Sequence, residues 1–172
     1  MFVNRSLLVE KRKGLHRASS FAYSVDENAR VLILGSMPGA ESLRRQEYYA
    51  FKYNVFWRIM GELFSFSPEL AYPERLAELR RHGVALWDVL AACERPGSLD
   101  SDIRAARPND IAGLVAKLPK LEKILCNGGA AYGYLRRFFP ELAALRLPST
   151  SPAAARWSYA EKLAAWRDAL ET

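Results

Sequence analysis

The strongest constraint on the fold is Val31-Leu32-Ile33-Leu34, a short unbroken apolar run that stops at Gly35-Ser-Met-Pro-Gly39. A run of that length without polar alternation predicts a strand buried on both faces. Such burial needs helices above and below, and the rest of the chain supplies them. An apolar stripe of Phe56, Ile59, Met60 and Leu63 predicts a helix from about Val55 to Phe64. Pro73 opens a second helix over Glu74 to Arg81, and Gly83 ends it. Val84 to Leu90 reads as a second strand, and residues 93–108 as a loop rich in Pro, Gly, Ser and Asp. Asn109 is expected to cap a helix running to about Leu118. A third strand, Lys123 to Cys126, ends in Asn127-Gly128-Gly129, and a helix follows to Phe139. A fourth, Leu145 to Leu147, ends in Pro148-Ser-Thr-Ser-Pro152. The last helix starts at a capping box of Ser158 and Glu161 and runs to Leu170. Strands alternating with helices predict an α/β fold with a parallel sheet covered on both sides. Ligands in such sheets bind beyond the carboxyl ends of the strands, so the three small or Gly/Pro-rich loops are expected to share one cleft.

The 172 residues favour one domain, with a core that needs no disulfide or metal. Residues 1 to about 28 read as a basic arm carrying Arg5, Lys11, Arg12, Lys13 and Arg17, and residues 29–172 as the domain. The longest apolar run, Gly83 to Cys93, is broken by Asp88 and is far short of the ~20 residues of a membrane helix. No signal peptide is visible. Cys93 and Cys126 are too few for a disulfide scaffold or a four-cysteine zinc site. Reduced thiols in the cytoplasm are therefore the expectation. Twenty-five Lys and Arg against 19 Asp and Glu give a net charge of +6. That balance favours polyanionic partners, nucleic acid above all, although a basic protein without such a partner has the same composition. Arginine outweighs lysine, and its fork suits phosphate oxygens.

Four segments can carry chemistry. The turn Gly35–Gly39 lets the backbone approach a ligand, but it is neither a Walker loop nor a dinucleotide fingerprint. In Tyr48 to Trp57, aromatics crowd around Lys52 and Asn54. Phe56 and Trp57 are expected in the core, whereas Tyr49 and Phe51 fall in a loop, where an aromatic can stack on a nucleobase. Asn54 either caps the helix behind it or offers its amide to a substrate or water. Asn127 either reads a base edge or simply turns the chain. The hydroxyls of Ser149, Thr150 and Ser151 suit phosphate oxygens, and two flanking prolines stiffen their loop. The histidines, His16 and His82, leave a Ser-His-Asp hydrolase poorly supplied. No His, Cys and carboxylate cluster has metal-ligand spacing. Asp88, Asp100 and Asp102 are candidates for a carboxylate role, with Asp100 and Asp102 expected on a solvated loop.

In this order, Gly35-Ser-Met-Pro-Gly-Ala-Glu-Ser-Leu43, Tyr48-Tyr-Ala50, Asn54-Val-Phe-Trp57, Leu86-Trp-Asp-Val-Leu90, Gly97-Ser-Leu-Asp-Ser101, Cys126-Asn-Gly-Gly129 and Leu147-Pro-Ser-Thr-Ser-Pro152 form a familiar set. The set resembles the uracil-DNA glycosylase superfamily, and most of all its hypoxanthine-DNA (deoxyinosine) glycosylase branch, over about residues 20 to 170. The resemblance implies a three-layer α/β/α sandwich around a four-stranded parallel sheet. It implies a monofunctional glycosylase that flips a deaminated base out of DNA and lets water cleave the N-glycosidic bond, with no metal or cofactor. It implies a DNA partner, double-stranded and by extension single-stranded, no membrane, and a monomer.

Roles carry over by position. Gly35 to Gly39 corresponds to the superfamily's water-activating loop, whose third residue is often Asn or Asp; here it is Met37, which cannot position water. The branch shares that lack, and its proposed substitute corresponds to Asn54. Ser36, Met37, Gly39, Tyr49 and Asn127 correspond to base-contacting positions, with Tyr49 stacking on the flipped base. Ser149, Thr150 and Ser151 correspond to the loop that meets the duplex. The branch usually has His-Pro before that Asn, where this chain has Phe51-Lys52-Tyr53. Three alternatives stay open at this level: a uracil- or mismatch-specific glycosylase, a lesion-binding module without catalysis, and a small-nucleotide binder on a flavodoxin-like fold.

Overall fold

The computed structural model describes residues 17–172. Strands β2 (Val31–Gly35), β3 (Val84–Asp88), β6 (Lys123–Asn127) and β7 (Leu145–Leu147) form a parallel sheet in the order β3-β2-β6-β7. All five residues of β2 and of β3 are buried, as continuous apolar strands require. Alternate side chains serve opposite faces. Leu32, Leu34, Ala85, Trp87, Ile124 and Cys126 join one core, with α4 (Ile111–Ala116) and α5 (Gly129–Phe138) packed on it. Val31, Ile33, Val84, Leu86, Leu125 and Leu147 join the other, under α2 (Phe56–Phe64), α3 (Tyr72–Arg81) and α6 (Tyr159–Glu171). Phe56 of α2 and Trp166 of α6 are fully buried and meet edge to face at 6.3 Å. Each such ring contributes roughly 1.5–3 kcal/mol through burial. The result is the expected three-layer α/β/α sandwich around four parallel strands.

The helix ends follow local chemistry. Pro73 sits in the first turn of α3, where its missing N–H costs nothing. Ser158 and Glu161 form the capping box of α6, each side chain bonding the other's backbone N–H. The cap of α4 differs from expectation: Asp110 Oδ1 accepts from Gly113 N–H at 2.9 Å. Asn109 instead spends its amide on Ser20 and on the carbonyls of Asp88 and Leu90, because it stands beside the end of β3.

The region after β3 also differs. The chain does not loop out at residue 93. A single residue, Val89, separates β3 from β4 (Leu90–Glu94), which leaves the parallel sheet for a second, antiparallel one. That sheet has the order β1-β4-β5, with β1 at Arg17–Ser19 and β5 at Arg104–Pro108. Small, polar and Pro-rich residues read as a loop, yet pairing with β4 makes the second half of it a strand. The same pairing draws residues 17–28 into the domain. Ala18 pairs with Cys93, Ser24 exchanges backbone bonds with Leu86, and Phe21 O accepts from Trp87 Nε1 at 2.9 Å. Residues 1–16 of the expected arm lie outside the described residues. Among the described residues no helix is long and apolar enough to cross a membrane.

Candidate active site

The carboxyl ends of β2, β3, β6 and β7 open on one side of the sheet. The turn after β2 is held from below, because Gly35 O and Ser36 O accept from the N–H groups of Val89 and Leu90. It is held from above by the segment after β4. Ser98 Oγ accepts from Ala40 N–H at 2.8 Å, at the start of the short helix α1 (Ala40–Arg45). Ser36 Oγ donates to Asp100 Oδ1 at 2.6 Å. The buried Arg95 guanidinium bonds the Pro38 carbonyl through Nη2. The turn is thus a fixed wall, and Met37 is buried in it at 6% exposure.

The second wall is the aromatic segment. Tyr48 is core: its hydroxyl donates to Ala22 O at 3.0 Å and its carbonyl accepts from Trp57 Nε1 at 2.8 Å. Tyr49 adopts φ 55°, the left-handed region that a tyrosine avoids at a cost of about 1–3 kcal/mol. That turn lays one face of its ring on Phe56, centroid to centroid 3.9 Å at 24°. Its hydroxyl is carried to the floor of the site, where a Cβ on Gly35 would stand 3.3 Å away. Asn54 Oδ1 accepts from Phe56 N–H at 3.0 Å, one residue ahead of the α2 N-cap Val55, which has no side-chain cap of its own. Asn54 Nδ2 meets no protein acceptor among the described residues. Phe51 and Tyr53 are 45% and 61% exposed at the rim, edge to face at 5.5 Å, with Lys52 Nζ 4.9 Å from the Tyr53 ring.

The third wall joins β6 to the loop after β7. Asn127 Nδ2 donates to Thr150 Oγ1, and Asn127 Oδ1 accepts from Thr150 N–H, both at 2.9 Å. Thr150 O accepts from Val55 N–H at 3.0 Å. Thr150, 1% exposed, therefore links β6, its own loop and the start of α2. Gly128, at φ 97°, lets the loop approach, since a Cβ there would stand 2.9 Å from that of Ser149. From behind, α6 fastens the loop twice. Lys162 Nζ donates to Ser151 O and Trp166 Nε1 to Pro148 O, each at 3.0 Å. Burial pulls the Lys162 ammonium below its ordinary pKa.

These walls enclose a cavity of about 680 Å³, in the range of small-ligand sites. Its floor is acidic. Asp88, 3% exposed, pairs in register with Gly35. Burial, helped by the like charge of Asp100 and opposed by Arg95, pushes its carboxyl up to about 7. Asp100 is raised as well, by desolvation against its Ser36 bond and Arg95. Burial likewise raises the Tyr49 hydroxyl, with Asp88 adding to it.

Ser36, Met37, Gly39, Tyr49, Asn54, Asn127, Ser149, Thr150 and Ser151 all line this one cavity. Asn127 and Thr150 bond each other through both side-chain ends of Asn127, while the half-buried Asn127 keeps a second Nδ2 hydrogen and Thr150 is only 1% exposed. Asp100 is in solvent as expected, its side chain 46% exposed, and its bond to Ser36 also sets it at the cavity wall. The floor role of Asp88 was not legible, because only the β2–β3 register sets it beneath Gly35. Among the described residues no cluster of His, Cys, Asp and Glu could hold a metal.

The profile of the Uracil DNA glycosylase superfamily matches residues 22–170. A hypoxanthine DNA glycosylase of Methanosarcina acetivorans is 41% identical over 142 residues, 80% of this chain and 89% of that protein. Another hypoxanthine DNA glycosylase, from Methanosarcina barkeri, is 36% identical over 113 residues, 65% of this chain and 72% of that one. The solution NMR structure of a uracil DNA glycosylase candidate from Methanosarcina acetivorans superposes with a TM-score of 0.76 at 36% identity, covering 91% of this chain and all of that one. With its four parallel strands, its strand-end cavity and these likenesses, the chain belongs to the uracil DNA glycosylase superfamily.

Proposed function

We propose that this protein is a monofunctional DNA glycosylase that excises deaminated bases, hypoxanthine foremost, by base flipping and hydrolysis of the N-glycosidic bond. The observation that carries the reading is the cavity between three strand-end loops, with the Tyr49 ring and the Asn54 amide in its lining. Flipping costs a few kcal/mol and least for a poorly paired base, which favours lesions. The open face of Tyr49 stacks on the everted base, and Phe56 backs the ring. The Ser36 to Gly39 wall, with buried Met37, bounds the base from the side. Asn54 Nδ2 orients water or bonds the base, its Oδ1 being fixed on Phe56 N–H. Asn127 is a positioning residue that acts through Thr150. Ser149 and Ser151 meet the DNA backbone on the loop that Thr150 and α6 hold.

The chemistry does not need a strong base. The transition state resembles an oxocarbenium ion and a base gathering negative charge. Fixed donors around the base stabilise that charge without reorganising. Nearby phosphates offset the positive charge of the sugar. The expected partner is DNA, engaged by a monomer, and binding should weaken steeply with salt.

Duplexes carrying inosine, uracil or xanthine provide the test. Alkali-labile sites should form fastest in the inosine duplex. Asn54→Ala should slow single-turnover excision of deoxyinosine. The absence of alkali-labile product from every lesion would leave only a binding module. Faster cleavage of uracil would shift the substrate to the one named for the NMR relative.

A further inference from the structure

Two polar atoms in the cavity floor are fully buried and have no protein partner among the described residues: Asp88 Oδ2 and the Tyr49 hydroxyl. Buried polar groups are normally paired, and an orphan costs about 1–3 kcal/mol. These two are neighbours. A Cβ on Gly35 would collide with Asp88 Oδ1 and stand 3.3 Å from the Tyr49 oxygen, so only glycine leaves Asp88 Oδ1 open to the cavity. Asp88 is also the one buried carboxyl among the described residues. Its surroundings are specified from every side. Asp100 and Arg95 face it from the segment after β4, and Tyr48, Tyr49 and Tyr72 from the helical layer, with Cys126 of β6 beside Tyr49.

Resting on the glycosylase reading above, we propose that Asp88 is a further catalytic residue, a neutral carboxylic acid that donates its O–H from the cavity-facing Oδ1 to a ring nitrogen of the everted purine. As the N-glycosidic bond breaks, its electron pair goes to the base. The Asp88 O–H bond breaks with its pair retained by the carboxylate, and the proton passes to the ring nitrogen, so the base leaves neutral. Water bonds to C1′ and its surplus proton is released, which restores Asp88 from solvent. Burial and the neighbouring Asp100 keep the acid form populated near neutrality, the condition for a general acid at working pH. A purine has free ring nitrogens to accept this proton, whereas uracil in DNA offers only carbonyl oxygens. The assignment therefore also accounts for a preference for purine lesions.

Single-turnover excision of deoxyinosine between pH 5.5 and 9, for the full chain and for Asp88→Asn, tests the assignment. The wild-type rate should fall about tenfold per pH unit on the alkaline side of about 7. Asp88→Asn keeps the shape and the hydrogen-bond donor but has no proton to transfer. It should be at least about 100-fold slower at pH 6 and should lose the alkaline limb. Tyr49→Phe, which keeps the stacking ring, should retain the limb. Carboxyl 13C NMR of the free protein supplies a readout without catalysis, with Asp88 titrating near neutrality. An Asn variant within about threefold of wild type at pH 6, a limb that persists in it, or an Asp88 carboxyl titrating in the ordinary range overturns the proposal. A wild type that releases no base from any lesion overturns the glycosylase reading itself, so the two failures are told apart.

Discussion

Replacing Thr150 by Val tests the link that closes the site. Valine keeps the shape of the side chain and puts a methyl where Oγ1 accepts from Asn127 Nδ2 at 2.9 Å. The two backbone bonds of Thr150, to Asn127 Oδ1 and from Val55 N–H, survive. What is lost is one hydrogen bond, with a donor left stranded against a residue only 1% exposed. That combination costs about 1–3 kcal/mol. For a domain of this size each kcal/mol lowers Tm by roughly 2–4 °C, so a cost near the middle of the range gives a fall of about 4–8 °C. Thr150→Ser keeps the acceptor and should lose much less. Asn127→Ala combined with Thr150→Val should be far from additive, because both remove the same bond. Thermal unfolding followed by circular dichroism, with urea melts for the free energies, measures all four. A valine variant within 1 °C of wild type, or a serine variant as unstable as the valine one, would refute the linkage as described.

Two further outcomes follow from the same geometry. Asp88 is raised from 3.8 to about 7 in the folded chain, so its contribution to stability is complete below about pH 4 and lost as pH rises through 7. That interval is worth about 4 kcal/mol, so the stability of Asp88→Asn relative to wild type should grow by that order between pH 4 and 8 in urea melts; a constant difference would contradict the burial argument. Phe51→Ala with Tyr53→Ala removes two rings that are 45% and 61% exposed, which should leave Tm nearly unchanged. Affinity for a lesion duplex, read by fluorescence anisotropy, should fall about 5–100-fold per stacked base, and a folded double variant with unchanged affinity would remove the rim from DNA contact.

Much of this architecture was legible in residue order because its signals are local. Four apolar strands, the Ser158 capping box and the strand-end turns need only neighbours in sequence to be recognised. What stayed hidden depends on partners far along the chain. Leu90–Glu94 and Arg104–Pro108 are strands only because each pairs with the other, and Arg17–Ser19 only because β4 offers an edge. Asp110 and Asn109 are equally good caps on paper, and the nearby end of β3 decides between them. The site divides in the same way. Its nine anticipated residues share one cavity, since strand-end loops of a parallel sheet must converge. The division of labour among them is set by pairing across 23 positions, as between Asn127 and Thr150, and by the β2–β3 register that puts Asp88 under Gly35.

The attachment of the 148–152 loop to α6 bears on how the protein is made. A nascent chain presents Ser149, Thr150 and Ser151 before Lys162 and Trp166 have been joined to it. Until then the Ser151 and Pro148 carbonyls lack their donors, and the loop has only Asn127 and Val55 to lean on. A growing polypeptide with all four parallel strands complete thus still lacks the contacts that fix this loop. The loop takes its final anchorage only when the indole and the ammonium dock.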